Sequence, residues 1–143
     1  MPFEATGPYT MAHVVADLRD IPVEIRRKVR PAVVKVAQPI LAAAKARAGW
    51  SSRIPDAIRL SVVAKGVILR VSLKKAPHAR AYEGISSGRT GNFRHPVYGH
   101  EDRWVAQRER PFVIPAVAQY MHTVEPAIVE AVDQVLRARG WTR

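Results

Sequence analysis

The chain has 143 residues, the size of a single domain that can bury a core without help from disulfides or metal. It contains no cysteine, which excludes disulfide frameworks, thiolate metal sites and cysteine nucleophiles, and which fits a reducing cytoplasm. Lysine and arginine outnumber aspartate and glutamate by 23 to 12, for a formal net charge of +11. This excess predicts attraction to phosphates, anionic surfaces or acidic proteins, without choosing among them.

The N-terminal part of the chain predicts an arm followed by two helices. Residues 1–10 show no periodicity and indicate an N-terminal arm, whereas 11–143 read as one domain. A short helix is expected from Met11 to Arg19. A long helix is expected from Pro22, whose missing N–H suits a first helical position, to about Ala48, with Gly49 as a left-handed stop.

Two prolines lie inside the long predicted helix and would normally argue against it. Projected at 3.6 residues per turn, Pro31 and Pro39 fall on the side opposite the apolar stripe. That stripe consists of Val29, Val33, Val36, Ala37, Ile40 and Ala44. Prolines on the solvent side bend a helix around what it covers, so the pattern predicts one curved helix.

The period changes to two after residue 55, which predicts a β-hairpin. A two-residue turn at Lys65-Gly66 would pair Val62 with Leu69 and place both apolar rows on one face. The outer face would then carry Arg59 and Arg70.

Basic residues on and beyond this hairpin are candidates for contact with DNA or another anionic surface. They are Arg59, Arg70, Lys74 and Lys75. Scattered positive charge of this kind supplies non-specific phosphate affinity and no base readout.

The second half of the chain predicts another hairpin and a final helix. Residues 93–98 and 103–107 read as strands over a turn at 99–102, after a glycine- and serine-rich loop at 84–92. A helix follows from Phe112 to Arg139 and ends at Gly140, with Pro126 opposite its apolar stripe. The fold class is therefore α+β: an antiparallel sheet of about four strands, from two hairpins, packed by a long curved N-terminal helix and a long C-terminal helix.

No pattern in the chain predicts catalysis, a metal or a cofactor. The loop 84–90 departs from a phosphate-binding loop in spacing, and it has arginine where lysine is required. His95, His100, Glu101 and Asp102 are metal-ligating types, but residues around a turn need not converge on one point. No paired carboxylates or nucleophile motif is visible, so we expect no enzyme. No apolar run reaches membrane-spanning length, so we expect a soluble, unexported protein.

Two phrases of the sequence carry a family resemblance. The first is Tyr82-Glu83-Gly84, preceded by His78-Ala79. The second is Arg110-Pro111-Phe112-Val113-Ile114-Pro115-Ala116, which leads into the final helix. In this order they resemble the tail-completion family of long-tailed phages, the group typified by the tenth gene product of a lambdoid phage. The family commonly has a shorter turn after the first phrase, so residues of about 84–108 form a loop and hairpin insertion here.

The resemblance implies a structural protein of the virion neck, present in the host cytoplasm during assembly. Such a protein joins the head-closure ring to the tail terminator and tail tube, forms a homo-hexameric ring, and can touch packaged DNA non-specifically. The residues expected at subunit contacts are Tyr82, Glu83, Arg89, Phe93, His95, Tyr98, Trp104 and Phe112. Two alternatives stay open: a tail terminator ring protein, and a basic nucleic-acid-binding protein.

Overall fold

The structure, a computed structural model, describes residues 10–14, 22–63, 66–85 and 87–140. Its elements in chain order are β1 (Thr10–Val14), α1 (Val23–Arg47), α2 (Ile54–Ala57), β2 (Ile58–Val63), β3 (Gly66–Val71), α3 (Ala79–Tyr82), β4 (Asn92–Val97), β5 (His100–Arg108) and α4 (Val113–Arg137).

The α+β class with two long helices and small antiparallel sheets is confirmed, but the expected sheet of about four strands is wrong. One sheet has three strands in the order β1-β3-β2, and β4 and β5 form a separate two-stranded sheet. The two hairpins therefore do not join. The open edge of β3 pairs instead with β1, in antiparallel register.

The predicted helix from Met11 to Arg19 is wrong over the residues that the structure describes there. Thr10–Val14 is a strand whose Ala12 pairs with Leu69 and whose Val14 pairs with Val67. Pairing with an available sheet edge outweighs the weak local helix preference of this segment. Residues 1–9 of the predicted arm and 15–19 of the predicted helix lie outside the described residues.

The long N-terminal helix is confirmed as one helix with two internal prolines. Pro31 and Pro39 are exposed, so their missing hydrogen bonds lie toward solvent. The opposite stripe is buried at Val29, Val33, Ala37, Ile40 and Ala44. The curvature of this helix stays a prediction.

The predicted left-handed stop at Gly49 is wrong, because Gly49 does not have a positive φ. The Ala48 N–H bonds to the Ala44 carbonyl at 3.1 Å, and the Gly49 N–H bonds to the Ala46 carbonyl at 3.1 Å. The helix thus ends by tightening into shorter-range hydrogen bonds.

The final helix is confirmed, but α4 ends at Arg137, two residues before the predicted Arg139. Gly140 follows at a φ of 75°, in the left-handed region that favours glycine. Pro126 is exposed, and the buried stripe includes Val117, Val124 and Ile128. Helices α1 and α4 run antiparallel along each other, with Arg47 Nη2 donating to Gln119 Oε1 at 3.0 Å.

The faces of the first hairpin are as predicted, but its register is not. Leu60 pairs with Leu69 and Val62 pairs with Val67, two residues away from the expected pairs. An even shift leaves every side chain on its predicted face, so the apolar rows still point to the core. Val63 pairs with Gly66, and the connection falls at 64–65, outside the described residues, so the turn is not at Lys65-Gly66.

The core lies between α1, α4 and the inner face of the three-stranded sheet. Its largest fully buried side chains include Phe112, Ile40, Ile54, Ile58 and Leu69. Within the described residues, no helix is both long enough and apolar enough to span a membrane.

Candidate functional site

The two phrases that carry the family resemblance meet at the start of α4. The Glu83 side chain is fully buried, and its Oε2 accepts the backbone N–H groups of Phe112 at 2.9 Å and Val113 at 3.0 Å. Its Oε1 accepts the N–H of Ile114 at 2.7 Å. One carboxylate thus satisfies three N–H groups that have no partner within the helix.

The sequence at this helix start explains why a distant carboxylate is needed. The residue in the N-cap position, Phe112, has no side-chain acceptor. Serine, threonine, aspartate or asparagine normally fills this role from within the segment. Here Glu83 fills it from the C-cap position of α3. We name the contact between Glu83 and the N-terminus of α4 the carboxylate joint.

Burial is the main influence on the charge of Glu83. Desolvation raises the pKa of its carboxyl above the usual 4.5. The three backbone N–H donors and the Arg89 guanidinium oppose that rise by stabilising the ionised form. Both oxygens already have partners within the chain, so the group is built to hold the helix start and not to meet solvent.

A tight loop follows the carboxylate joint. Gly84 has a φ of 81°, and a Cβ placed there would lie 2.6 Å from Glu109 Oε2. The Ser87 hydroxyl donates to Glu109 Oε1, and the Arg89 N–H bonds to the Gly84 carbonyl at 2.8 Å. The close approach and the positive φ both require glycine at position 84.

The hairpin formed by β4 and β5 projects from this loop and is anchored at its root. Gln107 Nε2 donates to the Tyr82 hydroxyl at 2.6 Å, and the Phe93 ring meets the Tyr82 ring edge-on at 5.1 Å. The Glu109 N–H bonds to the Gly91 carbonyl at 3.0 Å. Among the described helices and strands, β4 and β5 contact mainly each other.

The far end of the hairpin exposes large apolar side chains. Tyr98 is 102% exposed and Trp104 is 54% exposed, with Val105 also exposed. Isolated apolar residues on a surface are ordinary, but several on one projecting element indicate a contact surface.

The predicted turn at 99–102 is wrong. Strand β5 begins at His100, and Val97 pairs directly with His100, so the turn residues are Tyr98 and Gly99. Gly99 supplies a φ of 77°. An irregularity between Pro96 and Val97 shifts the register, which explains why simple alternation misplaced the turn.

A wide groove lies between the hairpin root and the segment after α1. Its volume is about 920 Å³, and its walls include the rings of Trp50, Tyr82 and Phe93 together with Arg53 and Arg94. The Trp50 and Tyr82 ring centroids are 4.5 Å apart. We name it the aromatic groove.

Sequence reasoning assigned no role to Trp50 or Arg53, both of which line this groove. The available signal was a large aromatic residue placed within the polar segment Gly49–Arg53, where nothing local could bury it. The groove itself depends on how the hairpin folds back against α3.

The expected subunit-contact residues divide into two groups. The prediction of a subunit contact is wrong for Glu83 and Phe112, because both side chains are fully buried and their contacts are internal. The others retain exposed or partly exposed side chains; these are Tyr82, Arg89, Phe93, His95, Tyr98 and Trp104. Tyr82 and Phe93 lie at the hairpin root, whereas Tyr98 and Trp104 lie toward its end.

The expected basic residues are exposed as predicted. Arg59 and Arg70 pair directly across β2 and β3 on the outer face, and Lys74 and Lys75 follow β3.

A second basic feature is a cleft of about 230 Å³ beside the end of β2. Arg26, Arg27 and Arg30 line it, and Arg30 Nη2 donates to the Val62 carbonyl at 2.9 Å. The sequence indicated that these arginines were concentrated, but not that they line a cleft.

No three metal-ligating side chains converge within the part of the chain that the structure describes. Comparison with protein-family models, with curated proteins and with solved structures returns no match.

Proposed function

We propose that this chain is a structural subunit of a phage neck, joining the head-closure ring to the tail terminator and tail tube. The resemblance that suggests this rests on two phrases separated by more than twenty residues of sequence. Those phrases form one structural unit through the carboxylate joint. This is the observation that supports the proposal most, because it gives both phrases a shared structural purpose.

The position of the insertion supports a joining role. Residues 84–108 leave the carboxylate joint and return to it, so the hairpin projects from a fixed base. A ring protein needs surfaces that extend toward neighbours while its core stays rigid. The exposed Tyr98 and Trp104 give this hairpin the apolar contact area that such a surface uses.

A contact with packaged DNA forms part of the proposal. The outer face of the three-stranded sheet exposes Arg59 opposite Arg70, and the arginine cleft beside Val62 is a second basic surface. These side chains supply the salt-dependent attraction to phosphates that needs no base recognition. They do not by themselves favour a DNA-binding protein acting apart from the particle.

The experiment that tests the proposal removes the hairpin and keeps the core. Because the Glu109 N–H already lies 3.0 Å from the Gly91 carbonyl, residues 92–108 can be replaced by a short glycine linker. This variant and the wild type are supplied in trans to a virus lacking the gene. We expect the shortened protein to fold and yet leave filled heads and finished tails unjoined.

A matched control replaces Glu130 and Gln134, on the surface of α4, by alanine. We expect normal particles from this control. Full infectivity with the shortened protein would contradict a joining role for the hairpin, whereas overlong tails would favour a tail terminator.

A further inference from the structure

The aromatic groove is open, aromatic and positively charged along its walls. Arg53 and Arg94 line it, and no carboxylate is among its lining residues. The Arg110 guanidinium stacks over the Trp50 ring at 5.2 Å, adding a third cation beside the groove. A matching occupant has an aromatic side chain and negative charge placed close together.

The end of the hairpin has this chemistry. Tyr98 is fully exposed at the turn, and the exposed carboxylates of Glu101 and Asp102 follow within four residues. A tyrosine ring can pack against the wall that the rings of Trp50, Tyr82 and Phe93 form.

The hairpin end cannot reach the groove of its own chain. Phe93, at the groove, and Val97, next to the turn, belong to one extended strand. Four residues of strand cover about 13 Å at roughly 3.3 Å each. The two surfaces lie at opposite ends of the same rigid hairpin, so they meet only between copies.

We propose that the aromatic groove binds the hairpin end of a second copy of this chain. Tyr98 of one copy enters the groove of the next, and Glu101 and Asp102 pair with Arg53 and Arg94. Each copy uses one groove and one hairpin end, so the contact is head-to-tail and repeats until a ring closes. The inference names the subunit contact of the proposed neck ring and to that extent rests on the proposed function.

The contact is weak between isolated copies. Exposed ion pairs contribute about 0–1 kcal/mol each, and one packed aromatic ring exceeds the entropy cost of association only slightly, so self-association is measurable only at high protein concentration. Assembly then depends on the high local concentration that a neighbouring ring supplies.

The first test uses charge reversal in the full-length protein, with self-association followed by sedimentation at high protein concentration. One variant carries Glu101→Lys and Asp102→Lys, and another carries Arg53→Glu and Arg94→Glu. We expect each alone to raise the dissociation constant of self-association at least tenfold. Mixed together they present complementary charges at both contacts, so association is expected to return.

A charge-reversed control separates this contact from general electrostatics. Glu130→Lys with Asp133→Lys makes the same change in net charge as the Glu101→Lys and Asp102→Lys variant, but on α4, away from the hairpin and groove. We expect this control to associate as the wild type does. The proposal would be overturned if the control weakened self-association as much as the test variants do, or if mixing the two test variants did not restore association.

The absence of cysteine from the chain allows a second, independent test. Proteins carrying His100→Cys and Ser52→Cys are mixed under mild oxidation, since Ser52 lines the groove and His100 is exposed at the hairpin end beside Tyr98, which stays in place. We expect a mixed disulfide-linked dimer within minutes, at least tenfold more than from His100→Cys mixed with Thr123→Cys on α4. Equal yields from the two mixtures would contradict the contact.

Both tests use purified protein, so their failure is distinguishable from failure of the proposed function. Charge reversal could leave self-association unchanged and the cross-linked yields could be equal, while particles lacking the protein still separate into heads and tails. In that case only the proposed contact is wrong.

Discussion

Replacing Glu83 tests whether the carboxylate joint holds the fold together. Glu83→Ala removes the acceptor for three backbone N–H groups at the start of α4. Glu83→Gln is the gentler change, because its carbonyl oxygen still accepts a hydrogen bond. It is still destabilising, because its amide NH2 group faces N–H donors from which it cannot accept.

The structure sets the size of the expected effect. Phe112 and Val113 are buried, so two of the three N–H groups would lose their partner away from solvent. Each unsatisfied buried group costs about 1–3 kcal/mol. We therefore expect Glu83→Ala to lower the free energy of unfolding by about 4 kcal/mol and Glu83→Gln by about half of that. For a chain of this size, roughly 3 °C per kcal/mol places the fall in Tm for alanine at about 12 °C.

The pH dependence adds a second signature. Since burial raises the pKa of Glu83 above 4.5, the folded state holds its proton to a higher pH than the unfolded state does. The contribution of this carboxyl to the free energy of unfolding is then fully present below about pH 4.5 and is lost as pH rises through the raised pKa. Glu83→Gln cannot titrate there, so the stability advantage of the wild type over Glu83→Gln should shrink as pH rises.

Urea unfolding followed by circular dichroism between pH 4 and 8 measures both effects. If Glu83→Ala does not fold, Glu83→Gln still reports the pH trend. The reasoning about the carboxylate joint would be refuted if both variants were as stable as the wild type and if the stability difference between the wild type and Glu83→Gln did not change with pH.

Three further predictions concern other parts of the chain. Gly84→Ala should lower the free energy of unfolding by about 1–3 kcal/mol, because the added Cβ would meet Glu109. The added Cβ of Gly99→Ala would meet no other atom, so this control should lose about 1 kcal/mol. Equal falls in Tm for the two variants would contradict this prediction. Pro31→Ala, on the exposed side of α1, should raise the free energy of unfolding by about 1–3 kcal/mol in urea melts. A loss of stability would mean that α1 needs the bend that Pro31 introduces. Trp104→Ala should leave the Tm within about 1 °C and yet reduce head-to-tail attachment in infected cells, so normal infectivity would count against its contact role.

The long helices and the faces of the first hairpin could be predicted because local patterns determine them. Apolar residues recur every three or four positions in α1, and the prolines fall on the opposite side, where a missing hydrogen bond meets water. Alternation in β2 and β3 determines which face each residue occupies. It does not determine register, since a shift of two residues leaves the pattern unchanged, as the pairing of Leu60 with Leu69 shows.

Strand β1 and the burial of Glu83 depend on contacts between distant parts of the chain. The segment Thr10–Val14 becomes a strand because β3 offers an edge. A charged residue such as Glu83 reads as a surface residue until its partner is known. One signal was present in the sequence: the start of α4 lacks a capping side chain, so an acceptor had to come from elsewhere.

The measurement that tests the central claim most directly is electron microscopy of particles assembled without this protein. The account predicts DNA-filled heads and tails of normal length that remain separate, and joined particles again when the wild-type chain is added to the extract. Joined, infectious particles in its absence would contradict the account.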